Sequence, residues 1–323
     1  MMEYNRQRRK MLGQLIAAAT VIGTGGSVFA QEPPTSHGQQ AKQATRLILL
    51  GTGGGPTPKK NRAAPAQVIV VNGVSYVVDC GNGIGRQFVS AGLKLASIRN
   101  VFITHQHSDH NADYGNLLLL AWATDLDHRV DAYGPPPLVK MTKNFLELNE
   151  YDINIRISDE GRVPLAPLIF PHEISAPGLI LQDANVKVTA ALVRHPPVEP
   201  AFAYRFDTAD RSIVISGDTA PSDNLIKLAQ GADVLVHEVM HLPSLEKLLG
   251  TEPNAVRLKE HLLASHSTCE QVGRIATAAK VKKLVLSHFV PGGYPFLDDK
   301  VWLDAVSPYF SGEIVVGRDL LEI

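Results

Sequence analysis

The chain has 323 residues, 45% of them hydrophobic and 20% charged, and its formal net charge is −1. These values are typical of a globular protein with a large core, and they exclude an intrinsically disordered or collagen-like chain. Two cysteines are too few for a disulfide-rich scaffold.

The first thirty residues have the pattern of an export signal. Residues 6–10 are basic, residues 11–30 are weakly apolar, and Val28-Phe29-Ala30 forms a small-residue cleavage site. The basic segment is also similar to the twin-arginine export motif. An uncleaved membrane anchor is the alternative, but glycines at positions 23, 25 and 26 weaken a spanning helix. We therefore predict a signal peptide of the twin-arginine type at residues 1–30.

The mature protein is expected to be periplasmic or secreted, with no membrane segment. Residues 31–46, rich in glutamine, proline and serine, have the composition of a flexible linker. The first thirty residues carry four basic side chains and one acidic side chain, so the rest of the chain has a formal charge of −4. This charge is unfavourable for a protein whose main partner is a polyanion, so we expect no nucleic-acid partner.

Short apolar runs typical of strands recur along the rest of the chain, separated by helix-like runs. The strand-like runs cover residues 47–50, 67–71, 76–78, 101–103, 186–191, 203–206, 213–216, 234–237 and 284–286. The helix-like runs cover residues 85–91, 113–122, 138–148, 221–229 and 269–279. Asn72-Gly73, between two apolar runs, predicts a hairpin turn. Because paired strands are mixed with single helices, we predict an α+β domain over residues 47–323, with two facing sheets and helices outside.

The densest group of candidate ligands directly follows the apolar run 101–103. His105, His107, Asp109 and His110 lie within six residues. Where a buried strand ends in a polar turn, such side chains leave the core and can converge. Neutral imidazole and carboxylate groups are the ligands of a borderline divalent cation such as zinc. The segment therefore predicts a metal site, with a solvated histidine-rich turn as the alternative.

Three further titratable residues follow other strand-like runs: His195, Asp218 and His288. Each of them alone is equally consistent with a capping side chain or a histidine bonded to the backbone. Together, three such groups at three strand ends favour convergence on one edge of the sheets.

The His-x-His-x-Asp-His segment resembles the signature of the metallo-β-lactamase superfamily. Four more segments occur in the family's order: Leu50-Gly51-Thr52-Gly53, Val78-Asp79-Cys80-Gly81, Ser216-Gly217-Asp218-Thr219 and Leu286-Ser287-His288. Within the superfamily the chain looks most like the ribonuclease Z-like branch, which includes secreted arylsulfatases. The resemblance implies a four-layer αβ/βα sandwich of two facing mixed β-sheets, with the site along one edge.

The resemblance also implies a pair of metal ions, expected to be zinc, with manganese or iron as alternatives. It assigns three ligands to each ion and one to both: His105, His107 and His195 to the first, Asp109, His110 and His288 to the second, and Asp218 as the bridge. Asp79 would orient a ligand imidazole. A hydroxide shared by the metals would be the nucleophile, and Asp109 would also accept a proton as water is delivered.

A second pair of residues bears on the leaving group. In ribonuclease Z-like proteins, a glutamate of a His-Glu segment supports the histidine of a His-Ser-Thr turn, and these roles fall here to Glu238 and His266. A carboxylate that raises the imidazole pKa lets the ring act as a general acid. The alternative is a helix cap, since Ser267 and Thr268 precede a helix-like run, and both functions are compatible.

The chain also departs from ribonuclease Z. His288 is followed by Phe289-Val290-Pro291 instead of an Arg-Tyr pattern, Asn82 stands where a glutamate is usual, and no long arm rich in glycine and lysine occurs. We therefore predict first an exported dizinc hydrolase of small anionic sulfate or phosphate esters, similar to the arylsulfatases. The alternatives are a ribonuclease Z-like phosphodiesterase or nuclease, and a metal-binding protein without catalysis.

The remaining expectations concern isolated side chains. Arg194, Lys59 and Lys60 are candidates for binding the anionic group of the substrate, but for the two lysines solvation in an exposed loop is the favoured interpretation. Cys80 and Cys269 are expected to be free, mostly buried thiols, with a disulfide between them as the alternative. Histidines 128, 172, 241 and 261 are predicted to be surface or packing residues. The sequence is compatible with a homodimer.

Overall fold

The computed structural model describes residues 44–250, 255–293 and 297–323. The predicted signal peptide and residues 31–43 of the predicted linker lie outside this part of the chain. The first strand begins at Arg46, and Thr45 before it is already buried. No helix in these described ranges is long and apolar enough to cross a membrane.

Seven strands form the first β-sheet. They are β1 (Arg46–Gly51), β2 (Ala66–Val71), β3 (Val74–Val78), β4 (Ile98–Phe102), β5 (Val130–Gly134), β6 (Ile169–Glu173) and β14 (Leu321–Glu322), in the order β14-β1-β2-β3-β4-β5-β6. Strands β14 to β3 pair antiparallel, and β3 to β6 pair parallel. Asn72 and Gly73, with φ of 50° and 79°, form the predicted turn between β2 and β3.

Seven further strands form the second β-sheet. They are β7 (Gly178–Gln182), β8 (Val186–Val193), β9 (Ala201–Thr208), β10 (Ser212–Ile215), β11 (Val234–Met240), β12 (Lys283–Val290) and β13 (Glu313–Val316), in the order β13-β12-β11-β10-β9-β8-β7. Strands β7 to β10 pair antiparallel, and β10 to β13 pair parallel. Both sheets are therefore mixed, as predicted.

Helices connect the strands and pack against the sheets. They are α1 (Ile84–Ser90), α2 (Ser108–Asn111), α3 (Tyr114–Ala123), α4 (Leu138–Leu148), α5 (Glu150–Glu160), α6 (Asp223–Leu228), α7 (Leu242–Leu249), α8 (Ala255–Ser265), α9 (Cys269–Ala278) and α10 (Asp299–Val306). Helix α9 begins with a capping box in which Thr268 and Gln271 satisfy each other's backbone N–H groups. The predicted cap before this helix is therefore present.

The alternation of side chains along each strand divides the core into layers. In β1, Leu47 and Leu49 face the second sheet, while Ile48 and Leu50 face helices on the outside of the first. Such strands are buried on both faces, so they appear in the sequence as continuous apolar runs. Each fully buried side chain of this kind contributes about 1.5–3 kcal/mol.

Three apolar clusters fill these layers. One lies between the two sheets and contains Phe102 of β4 with Phe202 and Phe206 of β9. A second joins the first sheet to helices through Trp122, and a third joins the second sheet to helices through Trp302. This arrangement is the predicted four-layer sandwich, which is confirmed.

Both cysteines are free and buried. Cys80 belongs to the cluster of the first sheet, and Cys269 belongs to that of the second. Burial raises the pKa of Cys269 to about 12 and raises that of Cys80 as well. The predicted free thiols are therefore confirmed, and both are protonated packing residues at neutral pH.

Candidate metal centre

The structure brings all seven predicted ligands together. Strand β4 leads to His105 and His107, α2 carries Asp109 and His110, and the other three come from the second sheet: His195 after β8, Asp218 after β10 and His288 within β12. These side chains fall into groups of three or four residues. Each residue offers one candidate ligand atom, and within a group these atoms all lie within 4.8 Å of one another. Segments up to 183 positions apart in the chain thus meet at one place.

The first group consists of three imidazoles and one carboxylate. His107 Nδ1 lies 3.0 Å from His105 Nε2 and 3.0 Å from His195 Nε2. Asp218 Oδ2 lies 3.9 Å from His105 Nε2 and 4.0 Å from His195 Nε2. Ligand atoms around a tetrahedral zinc ion are about 3.3 Å apart, given Zn–N distances of about 2.0–2.1 Å. The four atoms therefore have the spacing of a metal-binding group.

The second group consists of Asp109, His110 and His288, and Asp218 lies against it. His288 Nε2 lies 3.4 Å from Asp109 Oδ2 and 3.1 Å from Asp218 Oδ2. His110 Nε2 lies 3.6 Å from Asp109 Oδ2 and 3.3 Å from Asp218 Oδ1. Because Asp218 borders both groups, its position is that of a carboxylate able to bridge two cations.

Hydrogen bonds hold the ligand imidazoles of the first group. His195 Nδ1 donates to the carbonyl oxygen of Ser265, at 2.9 Å, which leaves Nε2 for the cluster. His105 Nδ1 lies 3.1 Å from Thr104 Oγ1, whose own proton goes to Asp79. His105 Nδ1 is therefore the donor, and its Nε2 is likewise left for the cluster.

Asp79 performs the orienting role that the sequence predicts. Its Oδ2 accepts a hydrogen bond from His110 Nδ1 at 2.8 Å, and its Oδ1 accepts one from the backbone N–H of Thr104, also at 2.8 Å. The carboxylate thereby fixes the tautomer and the plane of the His110 ring.

Two residues at the site have a left-handed backbone. Asp79 has φ of 60° and His288 has φ of 44°. His288 is also the extra residue of a β-bulge, because Glu238 pairs with Ser287 whereas Val239 pairs with Phe289. Left-handed non-glycine residues cost roughly 1–3 kcal/mol each and concentrate at functional sites. The bulge turns the His288 side chain away from the regular alternation of β12.

The electrostatics of the cluster match the needs of a cation site. Burial lowers the pKa of His105, and it also lowers the pKa of His195, so both imidazoles are neutral and able to donate a lone pair. Burial opposes protonation of His288 too, but the charge of Asp218 and the close carboxylate oxygens of Asp109 and Asp218 raise its pKa to about 10. The carboxylates thus attract positive charge to this point.

Unpartnered atoms provide a test of whether a metal fits. Among the described residues, His110 Nε2, Asp218 Oδ1 and His288 Nε2 are buried without a hydrogen-bond partner. An unsatisfied buried polar group costs about 1–3 kcal/mol, and more when it is charged. Divalent cations would satisfy these atoms together with the first group. The residues present therefore fit a pair of divalent metal ions.

Glu238 and His266 form the predicted pair beside this cluster. His266 Nδ1 donates to Glu238 Oε2 at 2.8 Å and lies 3.9 Å from Asp218 Oδ2. The other oxygen of Glu238 accepts from the backbone N–H of Thr219. Burial alone would lower the pKa of His266, but the charge and hydrogen bond of Glu238 outweigh it and raise that pKa. The ring stacks on His288, with 5.8 Å between centroids.

The three candidates for anion binding have different positions. Lys59 is half-buried, with Nζ donating to the carbonyl oxygens of Gly55 and Thr57, and it interacts electrostatically with Asp109. Lys60 and Arg194 are exposed, and the hydrogen bonds of Arg194 involve its backbone. Of the three, Lys59 is the one that interacts with the cluster.

His261 of α8, predicted to be a surface or packing residue, lies beside His266. Its half-buried ring is perpendicular to that of His266, with centroids 6.4 Å apart, and its Nδ1 lies 3.5 Å from Ser265 Oγ. The four-residue spacing from His261 to Ser265 places both side chains on one face of the helix. The other three histidines predicted as surface or packing residues bond elsewhere: His128 to the Ile98 carbonyl, His172 to Asp131 and His241 to Ser244.

Comparisons with known proteins agree with this architecture. The chain matches the beta-lactamase superfamily domain over residues 75–289. It is 33% identical over 277 residues to a ribonuclease Z of Mycobacterium bovis (strain BCG / Pasteur 1173P2), covering 85% of this chain and 96% of that protein. The chain therefore belongs to the metallo-β-lactamase superfamily. Within it, the chain falls in the ribonuclease Z-like branch.

Solved structures show the same fold. The metallo-beta-lactamase fold protein YhfI of Bacillus subtilis superposes with a TM-score of 0.64 at 19% identity, covering 86% of this chain and 98% of that one. The short form of human tRNase Z gives a TM-score of 0.63 at 23% identity, with the same coverage of 86% and 98%. The ribonuclease Z relatives favour our alternative prediction, a phosphodiesterase, over the arylsulfatase-like activity that we predicted first.

Proposed function

We propose that this chain is a metal-dependent phosphodiesterase with two divalent cations, for which zinc is the expected metal. The main support for the proposal is the pair of ligand groups that both border Asp218, with the Glu238–His266 pair beside them. A closed structural zinc site needs neither a shared carboxylate nor an adjacent acid. The identity to ribonuclease Z over most of both chains supports phosphodiesters as the substrate class.

The protein's own groups have distinct roles in this proposal. When bound, two divalent cations would supply Lewis acidity at the phosphate and lower the pKa of a bound water toward neutrality. Glu238 holds His266 through Nδ1, so that Nε2 is the atom that delivers a proton to the leaving oxygen. Among the three cationic candidates, Lys59 is assigned to the anionic oxygens, because it is half-buried and interacts electrostatically with Asp109.

Asp109 is a ligand in this proposal. Burial alone would raise its pKa, but the charge of His110 and the close imidazole of His288 lower that pKa. The backbone N–H of Gly55 also donates to Asp109 Oδ2, at 3.0 Å. A carboxylate with a lowered pKa is a good metal ligand and a weak base. The second role predicted for Asp109, accepting a proton from water, stays a prediction.

Small diesters are the proposed substrates. The chain outside the first thirty residues has a formal charge of −4, and the connection from β5 to β6 consists chiefly of the helices α4 and α5. Both features are unfavourable for binding a long polyanion, because the affinity for such a ligand depends on many contacts with cationic side chains. The predicted export signal would likewise separate the protein from cytoplasmic RNA.

A substrate panel tests the proposal. The zinc-loaded protein would be assayed with bis(4-nitrophenyl) phosphate, 4-nitrophenyl phosphate, 4-nitrophenyl sulfate and a precursor transfer RNA. We expect the diester to have the highest kcat/KM. Preferred turnover of the sulfate would instead support the arylsulfatase-like hypothesis, and rapid RNA processing without diester turnover would support a nuclease. Binding of two zinc ions with no hydrolysis would leave the non-catalytic alternative.

Removal of the metal is expected to lower thermal stability. A ligand present at about 100 times its Kd stabilises the folded state by about 2.7 kcal/mol. For a domain of this size, that corresponds to a fall in Tm of roughly 5–10 °C on chelation, reversed by added zinc. Differential scanning calorimetry would measure the shift. A Tm that is the same with zinc and with chelator would contradict the proposed centre.

A further inference from the structure

A small cavity lies against the cluster, between the two sheets. Its volume is about 20 Å³. Its polar lining comes from the candidate ligands Asp218, His110 and His288 and from Gln67 of β2, Ser287 of β12, Asp79, Ser216 and Glu238. A cavity can hold a water molecule when the centre of the water can move within at least about 10–15 Å³ and two to four polar groups are within reach. The cavity meets both conditions for a single water.

Two side chains in this cavity have no role in the proposed catalysis. Gln67 and Ser287 are 4% and 2% exposed. Within the described part of the chain, Gln67 Oε1 and Ser287 Oγ have no hydrogen-bond partner, and the same holds for Asp218 Oδ1. Leaving such groups unsatisfied costs about 1–3 kcal/mol each, so their common location in one cavity calls for a shared partner.

The position of Gln67 is unusual for its strand. All six residues of β2 are buried, and the other five are alanine, valine or isoleucine. Glutamine is rarely buried without a polar partner. Ser287 of the other sheet lines the same cavity and directly precedes the bulge that turns His288 into the cluster. The two side chains therefore approach Asp218 from opposite sheets.

We propose that Gln67 and Ser287 bind one buried water molecule against Asp218 and act as positioning residues for this carboxylate. The water would accept a hydrogen bond from Ser287 Oγ and donate one each to Gln67 Oε1 and Asp218. Each carboxylate oxygen has two lone pairs, so Asp218 can accept from the water and still bind a metal. The inference rests on the proposed function, because Asp218 is the bridging ligand there.

Zinc affinity is the appropriate readout, because groups that orient a ligand typically change metal affinity by about 10–100-fold. Competition with a chromophoric chelator would be measured for the wild-type chain, Gln67→Leu, Ser287→Ala and the double variant. Each single variant is expected to weaken binding of at least one zinc ion by about 10-fold or more. The double variant is expected to lose little further affinity, since both side chains hold the same water.

The matched control is Ser75→Ala. Ser75 is a buried serine of β3 whose hydroxyl bonds to Ser97, outside the cavity, and its loss is expected to leave zinc affinity unchanged. Circular dichroism and Tm would show that every variant is folded. A high-resolution crystal structure of the zinc-loaded protein is expected to show one water between Gln67 and Ser287.

The outcomes separate this inference from the proposed function. A wild-type chain that binds no zinc would overturn the metal centre itself. A wild-type chain that binds two zinc ions, with equal affinity in both single variants, would overturn the inference alone. A cavity without solvent density between Gln67 and Ser287 would overturn it as well.

Discussion

Replacing Asp218 with alanine is expected to lower kcat of the zinc-loaded protein on a phosphodiester by about 10³-fold or more, equivalent to roughly 4 kcal/mol. Asp218 Oδ2 lies 3.1 Å from His288 Nε2, and the same carboxylate borders the imidazoles of the other group. Loss of this side chain would remove the one ligand that the proposed function assigns to both cations. The stabilisation that two cations would give to the attacking and leaving oxygens would be lost with it.

Two measurements would check this prediction. Steady-state kinetics with bis(4-nitrophenyl) phosphate gives the loss in kcat, and elemental analysis gives the number of zinc ions per chain. Asp218→Asn keeps the shape of the side chain and removes its charge, so it is expected to lose nearly as much activity. His172→Gln, at a partly exposed histidine bonded to Asp131, is the matched control. A variant at Asp218 that kept both zinc ions and the full rate would disprove the bridging role.

Much of the site was predictable because its ligands follow strands. His195 and Asp218 each follow an apolar run, and parallel or mixed sheets gather such positions at an edge. The helix predicted at residues 138–148 coincides with α4. The hairpin at Asn72-Gly73 was predictable because both residues tolerate positive φ. In each case the local sequence preference and the overall fold favour the same structure at these residues.

The elements that the sequence did not indicate are mainly edge strands and peripheral helices. Strand β6 contains Pro171 and has one buried residue, Ile169, so the apolar pattern that marks a strand is absent. Strand β14 has two residues and pairs only with β1. Helices α7 and α8 pack through a small separate cluster around Met240 and Leu245. In the sequence, segments with such weak apolar patterns cannot be distinguished from loops.

Some contributions to the site have no signal in a single sequence. The group that orients His195 is the backbone carbonyl of Ser265, and a carbonyl does not depend on residue type. The bulge at His288 follows from how β12 pairs with β11, which no local pattern encodes. Gln67 could be noticed as a polar residue within an apolar run, but its partner across the sheets could not.

Replacing His266 with alanine is expected to slow hydrolysis by about 10²–10⁴-fold for esters with poor leaving groups, and far less for 4-nitrophenyl esters. A poor leaving group needs a proton as its bond to phosphorus breaks, and His266 is held by Glu238 at 2.8 Å to deliver one. A 4-nitrophenolate departs without that proton. Glu238→Gln is expected to have a smaller effect in the same direction, because the hydrogen bond remains and the charge is lost.

The dependence of kcat/KM on the leaving-group pKa, measured over a series of alkyl and aryl phosphodiesters, would check this prediction. General-acid catalysis predicts a steeper dependence in His266→Ala than in the wild-type chain, with zinc content unchanged. A loss of equal size for every leaving group would show that His266 instead supports its neighbours His195 and His288, on which its ring packs. The slope therefore separates proton delivery from a purely structural role.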